Sequence, residues 1–244
     1  MDDSLISVRF AVAVGIAGAA GVIRGITGFG GALVMTPPLA LLYGPQMAVP
    51  VVLLLEAFAA TPMMRDIARA VQWRTIMPIS LAACCMLPFG GYLLVTADPQ
   101  DLRRAMAAIV IVFSLLLLAG WRYSGARGLP ARLGLGMIGG GMLGATGMGG
   151  PPVILYLMSG PDPISTTRAN MNVHVVVTSL GALAMLCWRG ILDDKCALTA
   201  LLLAPVFYVG AIVGTRLFSR FSERGFRQFA LIMMLAVSTG ILLV

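Results

Sequence analysis

Apolar runs of membrane-spanning length, separated by short polar turns, fill the chain from residue 5 to its last residue. A helix crossing a hydrocarbon core of ~30 Å needs about 20 apolar residues. Residues 5–24, 47–64, 75–95, 102–120, 168–188 and 196–216 each supply such a run, and a further helix ends at Val244. Three pieces are shorter: Ala32–Tyr43, cut by Pro37-Pro38; Leu133–Leu143; and Pro151–Met158. Gly44-Pro45, Asp98-Pro99 and Ser159-Gly160-Pro161-Asp162-Pro163 read as turns.

The short pieces flank a repeated stretch. Gly25-Ile26-Thr27-Gly28-Phe29-Gly30-Gly31 returns as Gly144-Ala145-Thr146-Gly147-Met148-Gly149-Gly150, an offset of 144 − 25 = 119 residues in a chain of 244. Each Gly costs a helix about 0.8–1.0 kcal/mol relative to Ala. Unwound backbone persists in a bilayer only where protein buries it or where it lines a wet cavity. Matched interruptions in two halves point to a transporter binding site. A phosphate-binding loop is excluded, because no Lys follows in the required position and no strand–helix unit surrounds either copy.

The predicted fold is therefore all-α: a polytopic membrane protein of about eight transmembrane segments in one domain, residues 1–244. It divides into two homologous halves, about 1–120 and 133–244, joined by a linker at 121–132. Composition agrees, with 59% hydrophobic and 11% charged residues, against about 25% charged in soluble domains. The net charge of +7 does not imply nucleic-acid binding, because the basic residues fall in short loops. Loops 65–74, 121–132 and 216–227 are rich in Arg, whereas 96–104, 159–168 and 189–195 are sparser or offset by Asp. The rich loops are assigned to the cytoplasm. If each glycine stretch folds a hairpin, each half makes an odd number of passes and the repeats are inverted, with both termini outside. If it only kinks a helix, the halves are parallel. Loop charge favours the inverted form. The acidic start, Met1-Asp2-Asp3-Ser4, lacks a signal peptide's basic region, so the first run is expected to be retained.

The duplicated motif, the Gly44-Pro45 turn, the Trp73-Arg74 loop and the Gly149–Pro152 Gly-Gly-Pro-Pro run resemble the TauE/SafE family of sulfite exporters and 4-toluene sulfonate uptake permeases. The resemblance covers nearly the whole chain. It implies about eight membrane segments and secondary transport of sulfur-containing anions, such as sulfite or sulfonates, in a bacterial inner membrane.

Ionisable groups inside membrane segments are functional candidates. Arg24 precedes the first glycine stretch, and its planar guanidinium suits sulfite, sulfonate or carboxylate oxygens; the structural reading is snorkelling to the interface. Arg168 opens the helix after the second turn, followed by Asn170, Asn172 and His174. Those three cannot share one face. Asn170 and His174, four apart, can share one, and so can Arg168 and Asn172. Here the structural reading is a helix end with Arg168 at the headgroups.

Glu56 lies mid-helix, where a carboxylate must pair or take a proton, which suits proton coupling; a static ion pair is the alternative. His174, the only His, could also exchange a proton or serve as a packing residue. Thr27 and Thr146 recur with Gly28, Gly30, Gly31, Gly147, Gly149 and Gly150. Their hydroxyls and freed N–H groups could hold an anion, aided by the positive ends of half-helices starting near Gly31 and Gly150. Close glycine packing is the simpler alternative.

No metal cluster and no cofactor are predicted. Cys84, Cys85, Cys187 and Cys196 form no C-x-x-C pair and are expected to behave as small hydrophobes. The expected partners are a small anion, the lipid bilayer and a coupled proton or other ion. A membrane enzyme would need a nucleophile with a base, paired intramembrane aspartates or a metal, and all Asp residues fall in loops or at the N-terminus. A non-transporting membrane subunit would not need a broken helix in each half.

Overall fold

The computed structural model of the chain describes residues 3–60 and 70–218. The end of the predicted 47–64 run (61–64), the first half of the Arg-rich loop 65–74 (65–69), the loop beyond 218 and the last helix lie outside the described residues. Within them are nine helices: α1 (Asp3–Thr27), α2 (Gly31–Tyr43), α3 (Pro45–Ala60), α4 (Trp73–Thr96), α5 (Pro99–Leu118), α6 (Leu129–Thr146), α7 (Gly150–Met158), α8 (Ile164–Trp188) and α9 (Asp194–Phe218). Val8–Thr27 of α1, α4, α8 and most of α9 are long and apolar enough to cross a membrane. At 1.5 Å per residue, the 25 residues of α8 extend about 37 Å.

Local sequence sets most of the boundaries. Gly44 adopts φ +85°, which a side chain resists, and Pro45 then starts α3 with the fixed φ a first helical turn needs. Asp98 caps α5 by accepting from the Gln100 N–H at 2.7 Å, and Asp193 caps α9 by accepting from the Cys196 N–H at 2.8 Å. Two expectations shift. The glycine stretches are not unwound throughout: α1 runs on to Thr27 and α6 to Thr146, so each break covers only 28–30 or 147–149. Nor do Pro37 and Pro38 cut the following piece; α2 is continuous across them, as membrane helices allow where neighbours re-satisfy freed carbonyls.

Hydrogen bonds between distant segments fix the direction of each helix. The 121–132 linker meets the 159–163 turn and the start of α4 on one face, here called the linker face. There Ser159 Oγ accepts from the Tyr123 N–H (2.6 Å), Gln72 Nε2 donates to Asp162 (2.6 Å) and Arg132 donates to the Arg74 carbonyl (3.0 Å). α7 ends there too, with the Arg127 guanidinium 4.8 Å from the centre of the Tyr156 ring. So α6 leaves the linker face and α7 returns to it: the second broken segment is a hairpin folded at 147–149. The first is its counterpart from the opposite face. α1 brings the Gly25 carbonyl to Arg168, one turn into α8, and α2 carries Tyr43 back within electrostatic reach of Arg9, near the start of α1. The two hairpins enter from opposite sides, and the repeats are inverted.

Each hairpin's long arm packs in parallel on the fourth helix of the other half. A Cβ on Gly21 of α1 would lie 2.2 Å from the Phe207 carbonyl oxygen of α9. On its repeat equivalent, Gly140 of α6, it would lie 2.1 Å from that of Ala83 in α4. Small residues allow this backbone approach. Gly140→Ala drives a methyl into fixed backbone. It is expected to cost about 1–3 kcal/mol, read as a lower unfolding temperature in detergent.

Trp73 and Trp121 sit on the linker face and Trp188 at the opposite end of α8, all exposed, as expected of aromatic belts at two membrane interfaces. Exposed Leu81, Phe89, Leu115, Leu201 and Val209 give the long helices an apolar outer surface.

Candidate functional site

The two breaks meet. Gly30 of the first hairpin and Gly147, Met148, Gly149 and Gly150 of the second line one central cavity, together with Arg24, Glu56 and His174. The cavity has about 40 Å³ of space for water-sized occupants, enough for roughly three waters. Both short helices, α2 and α7, start at its wall and turn their positive dipole ends there; α2 adds first-turn N–H groups, whereas Pro151 and Pro152 leave α7 only the glycine amides before them.

Arg24 and Glu56 form the charged centre. Arg24 Nη1 lies 2.8 Å from Glu56 Oε2, with both side chains at most 5% exposed. Arg24 Nη2 donates to Asn172 Oδ1 at 3.1 Å, and Asn172 Nδ2 donates to the Ala60 carbonyl at 3.3 Å. Arg24 Nε is buried and has no hydrogen-bond partner among the described residues. Glu56 faces the start of α2, beside the Ala32 N–H. Gly31 makes room for the pair: a Cβ there would lie 2.5 Å from Glu56 Oε1 and 3.2 Å from Arg24 Cδ. The alternative for Arg24, snorkelling to the interface, does not hold, because its side chain is buried against Glu56.

A family model, Sulfite exporter TauE/SafE, matches residues 13–241 of the chain. The chain belongs to the sulfite exporter TauE/SafE family. No curated protein and no solved structure matches it. Membership of this transporter family, with the long apolar helices, makes the chain an integral membrane protein of a transport family.

The remaining candidate residues of this TauE/SafE protein divide among three places. Arg168 is not in the central cavity. With Thr27, Phe29 and Thr167 it lines a second pocket between Ile26 and Met158. Its Nη2 donates to the Gly25 carbonyl at 3.1 Å, and its side chain lies against Gly28, which adopts φ +77°. A cation at the C-terminal end of α1 complements the helix dipole. Phe29 lines both the central cavity and this second pocket, so the two adjoin at this residue.

Asn170 faces α4, accepting from the Gln72 N–H at 2.8 Å. His174, on the same side of α8, meets Ser80 of α4 at 3.0 Å. Arg168 and Asn172 share the other side and meet α1. The i, i+4 pairing read from the sequence is realised on both faces.

The recurring Thr has a structural cause. Thr27 Oγ1 donates to the Ile23 carbonyl and Thr146 Oγ1 to that of Met142, at 2.8 and 2.7 Å. Each then accepts from the N–H two residues on, Phe29 or Met148, at 3.3 Å. Both hydroxyls close the end of a helix at the break and are committed to backbone rather than turned to a ligand.

Sequence reasoning missed Ser80, Phe29, Thr178 and Ser179 as members of the site's surroundings. A lone Ser or Thr in an apolar helix carries no signal, and Phe29 fills a position where the second copy of the motif has Met148; only tertiary packing brings Phe29, Thr178 and Ser179 to the cavity and Ser80 behind His174. Among the described residues, no group of His, Cys, Asp and Glu could hold a metal.

Proposed function

We propose that the protein is a secondary transporter of a small sulfur oxyanion of the sulfite type, taken up at the central cavity by Arg24 and the N-terminal ends of α2 and α7. One observation carries this reading: Arg24 is buried between two broken helices, and its Nε has no partner among the described residues. A buried donor without an acceptor costs free energy that an incoming oxygen would recover. The cavity volume favours a sulfite-sized anion over an aryl sulfonate.

Glu56 occupies the position a substrate oxygen would take on Arg24. The oxyanion displaces it, and the freed carboxylate, buried without its ion-pair partner, takes a proton. Anion and proton then cross together. Repeats that enter from opposite faces supply two related conformations for alternating access. The linker face, which carries Arg74, Arg122, Arg127, Arg132 and Arg216, is assigned to the cytoplasm of a bacterial inner membrane.

The test is flux in proteoliposomes with labelled sulfite, a small alkyl sulfonate and 4-toluene sulfonate. Sulfite is expected to move and the aryl sulfonate not. Transport of the aryl sulfonate alone would overturn the size argument. The second pocket is assigned as a vestibule on the linker side of Phe29. Arg168→Gln is expected to raise the KM for sulfite several-fold from that side and to change kcat by less than about twofold. An equal loss in kcat would move Arg168 into the transport step itself.

A further inference from the structure

We infer that His174 is a second anion-binding group of the central cavity, presenting Nε2–H as a neutral hydrogen-bond donor, and that Ser80 sets this tautomer. The inference rests on reading the cavity as the anion site. His174 is buried, and its ring lines the cavity beside Arg24 and Glu56. Nδ1 points away, to Ser80 Oγ at 3.0 Å. Nε2 has no partner among the described residues.

Ser80 decides which nitrogen holds the proton. A helical Ser commonly donates to the carbonyl four residues back, as Thr178 does to His174 at 2.6 Å. Ser80 makes no such bond; it is fully buried, and His174 is its one hydrogen-bond partner among the described residues. If Nδ1 carried the proton, the Ser80 hydroxyl hydrogen would be buried without an acceptor. If Ser80 donates to the Nδ1 lone pair, its hydrogen is satisfied and the imidazole proton moves to Nε2. The ring then offers a donor and no lone pair to the cavity, which suits an oxyanion. A neutral donor also adds no charge that Glu56 would have to balance. His174 is thus a binding residue and Ser80 a positioning residue acting through it.

Because His174 is the only His in the chain, ¹⁵N-histidine labelling of the full-length protein in lipid gives the two nitrogens of one ring. The expected spectrum is that of the neutral Nε2–H tautomer, with the Nε2 signal moving on addition of sulfite. Ser80→Ala is expected to give a mixture of tautomers and several-fold weaker sulfite binding. His174→Gln, whose amide reaches the Nε2 position, should hold the sulfite Kd within about threefold and keep pH-driven accumulation. His174→Asn, which is too short, should weaken binding tenfold or more.

An imidazolium or Nδ1–H spectrum overturns the inference. So does wild-type binding by both His174 variants, which would make the ring a packing group. Loss of pH-driven accumulation in His174→Gln with binding kept would make His174 a proton carrier instead. Arg24→Gln in parallel separates the two levels: normal sulfite binding there overturns the site itself, whatever tautomer His174 adopts.

Discussion

Glu56→Gln is expected to abolish pH-driven sulfite accumulation while leaving exchange between equal pools intact. With one proton carried per monovalent anion, a gradient of one pH unit supports about tenfold accumulation, since a factor of ten corresponds to ~1.4 kcal/mol. Gln keeps the shape and can still hydrogen-bond to Arg24, but it cannot carry the proton. The variant then moves the anion as a net charge. Accumulation should instead follow membrane potential, at ~2.3 kcal/mol per charge for each 100 mV, roughly fiftyfold. Removing the internal competitor for Arg24 should also tighten sulfite binding. Full pH-driven accumulation by the variant would exclude Glu56 as the proton site and point to His174. Loss of folded protein with no change in coupling would make the Arg24–Glu56 pair structural.

Arg24→Gln is expected to lower sulfite transport at least a hundredfold. Arg24→Lys should recover little of it, because a point charge on a flexible stem cannot hold Asn172 and an oxyanion together as the guanidinium fork does. The change has a second effect. Breaking a buried pair by removing one partner costs about 3–5 kcal/mol, so the single variant should be less stable in detergent than the wild type. The double variant Arg24→Gln, Glu56→Gln leaves no buried charge and should regain most of that stability while remaining inactive. Transport by the double variant would place the anion elsewhere. Flux and thermal unfolding on the same preparations separate the two effects.

How far the sequence reached follows from what each feature depends on. Apolar run length fixed the long helices, because the bilayer demands about 20 residues whatever the neighbours do. The repeat spacing and the loop charges led to two hairpins entering from opposite sides, which the bonds from Tyr123 to Ser159 and from Arg168 to Gly25 establish. Helix ends at the breaks were misjudged because a Thr hydroxyl can extend a helix through a glycine-rich stretch by bonding the carbonyl four residues back. Arg24 and Glu56 were legible singly, as charges in apolar surroundings. That they face each other depends on Gly31 leaving space, which no periodicity reports. Arg168 looked like an equal candidate, yet an Arg four residues from the start of a helix lies close to the membrane surface, and here it closes the end of α1. Ser80 was invisible, because its role exists only through a ring on another helix.

The central claim is that a sulfite-like anion sits between the two broken helices on Arg24. Selenite, the heavier congener of sulfite, can be located directly by its anomalous scattering in crystals of the wild-type protein. The account predicts one selenium site in the central cavity, with oxygen within hydrogen-bond distance of Arg24 and near the backbone of Gly30 and Gly149. A selenium site beside Arg168 with the central cavity empty would contradict it.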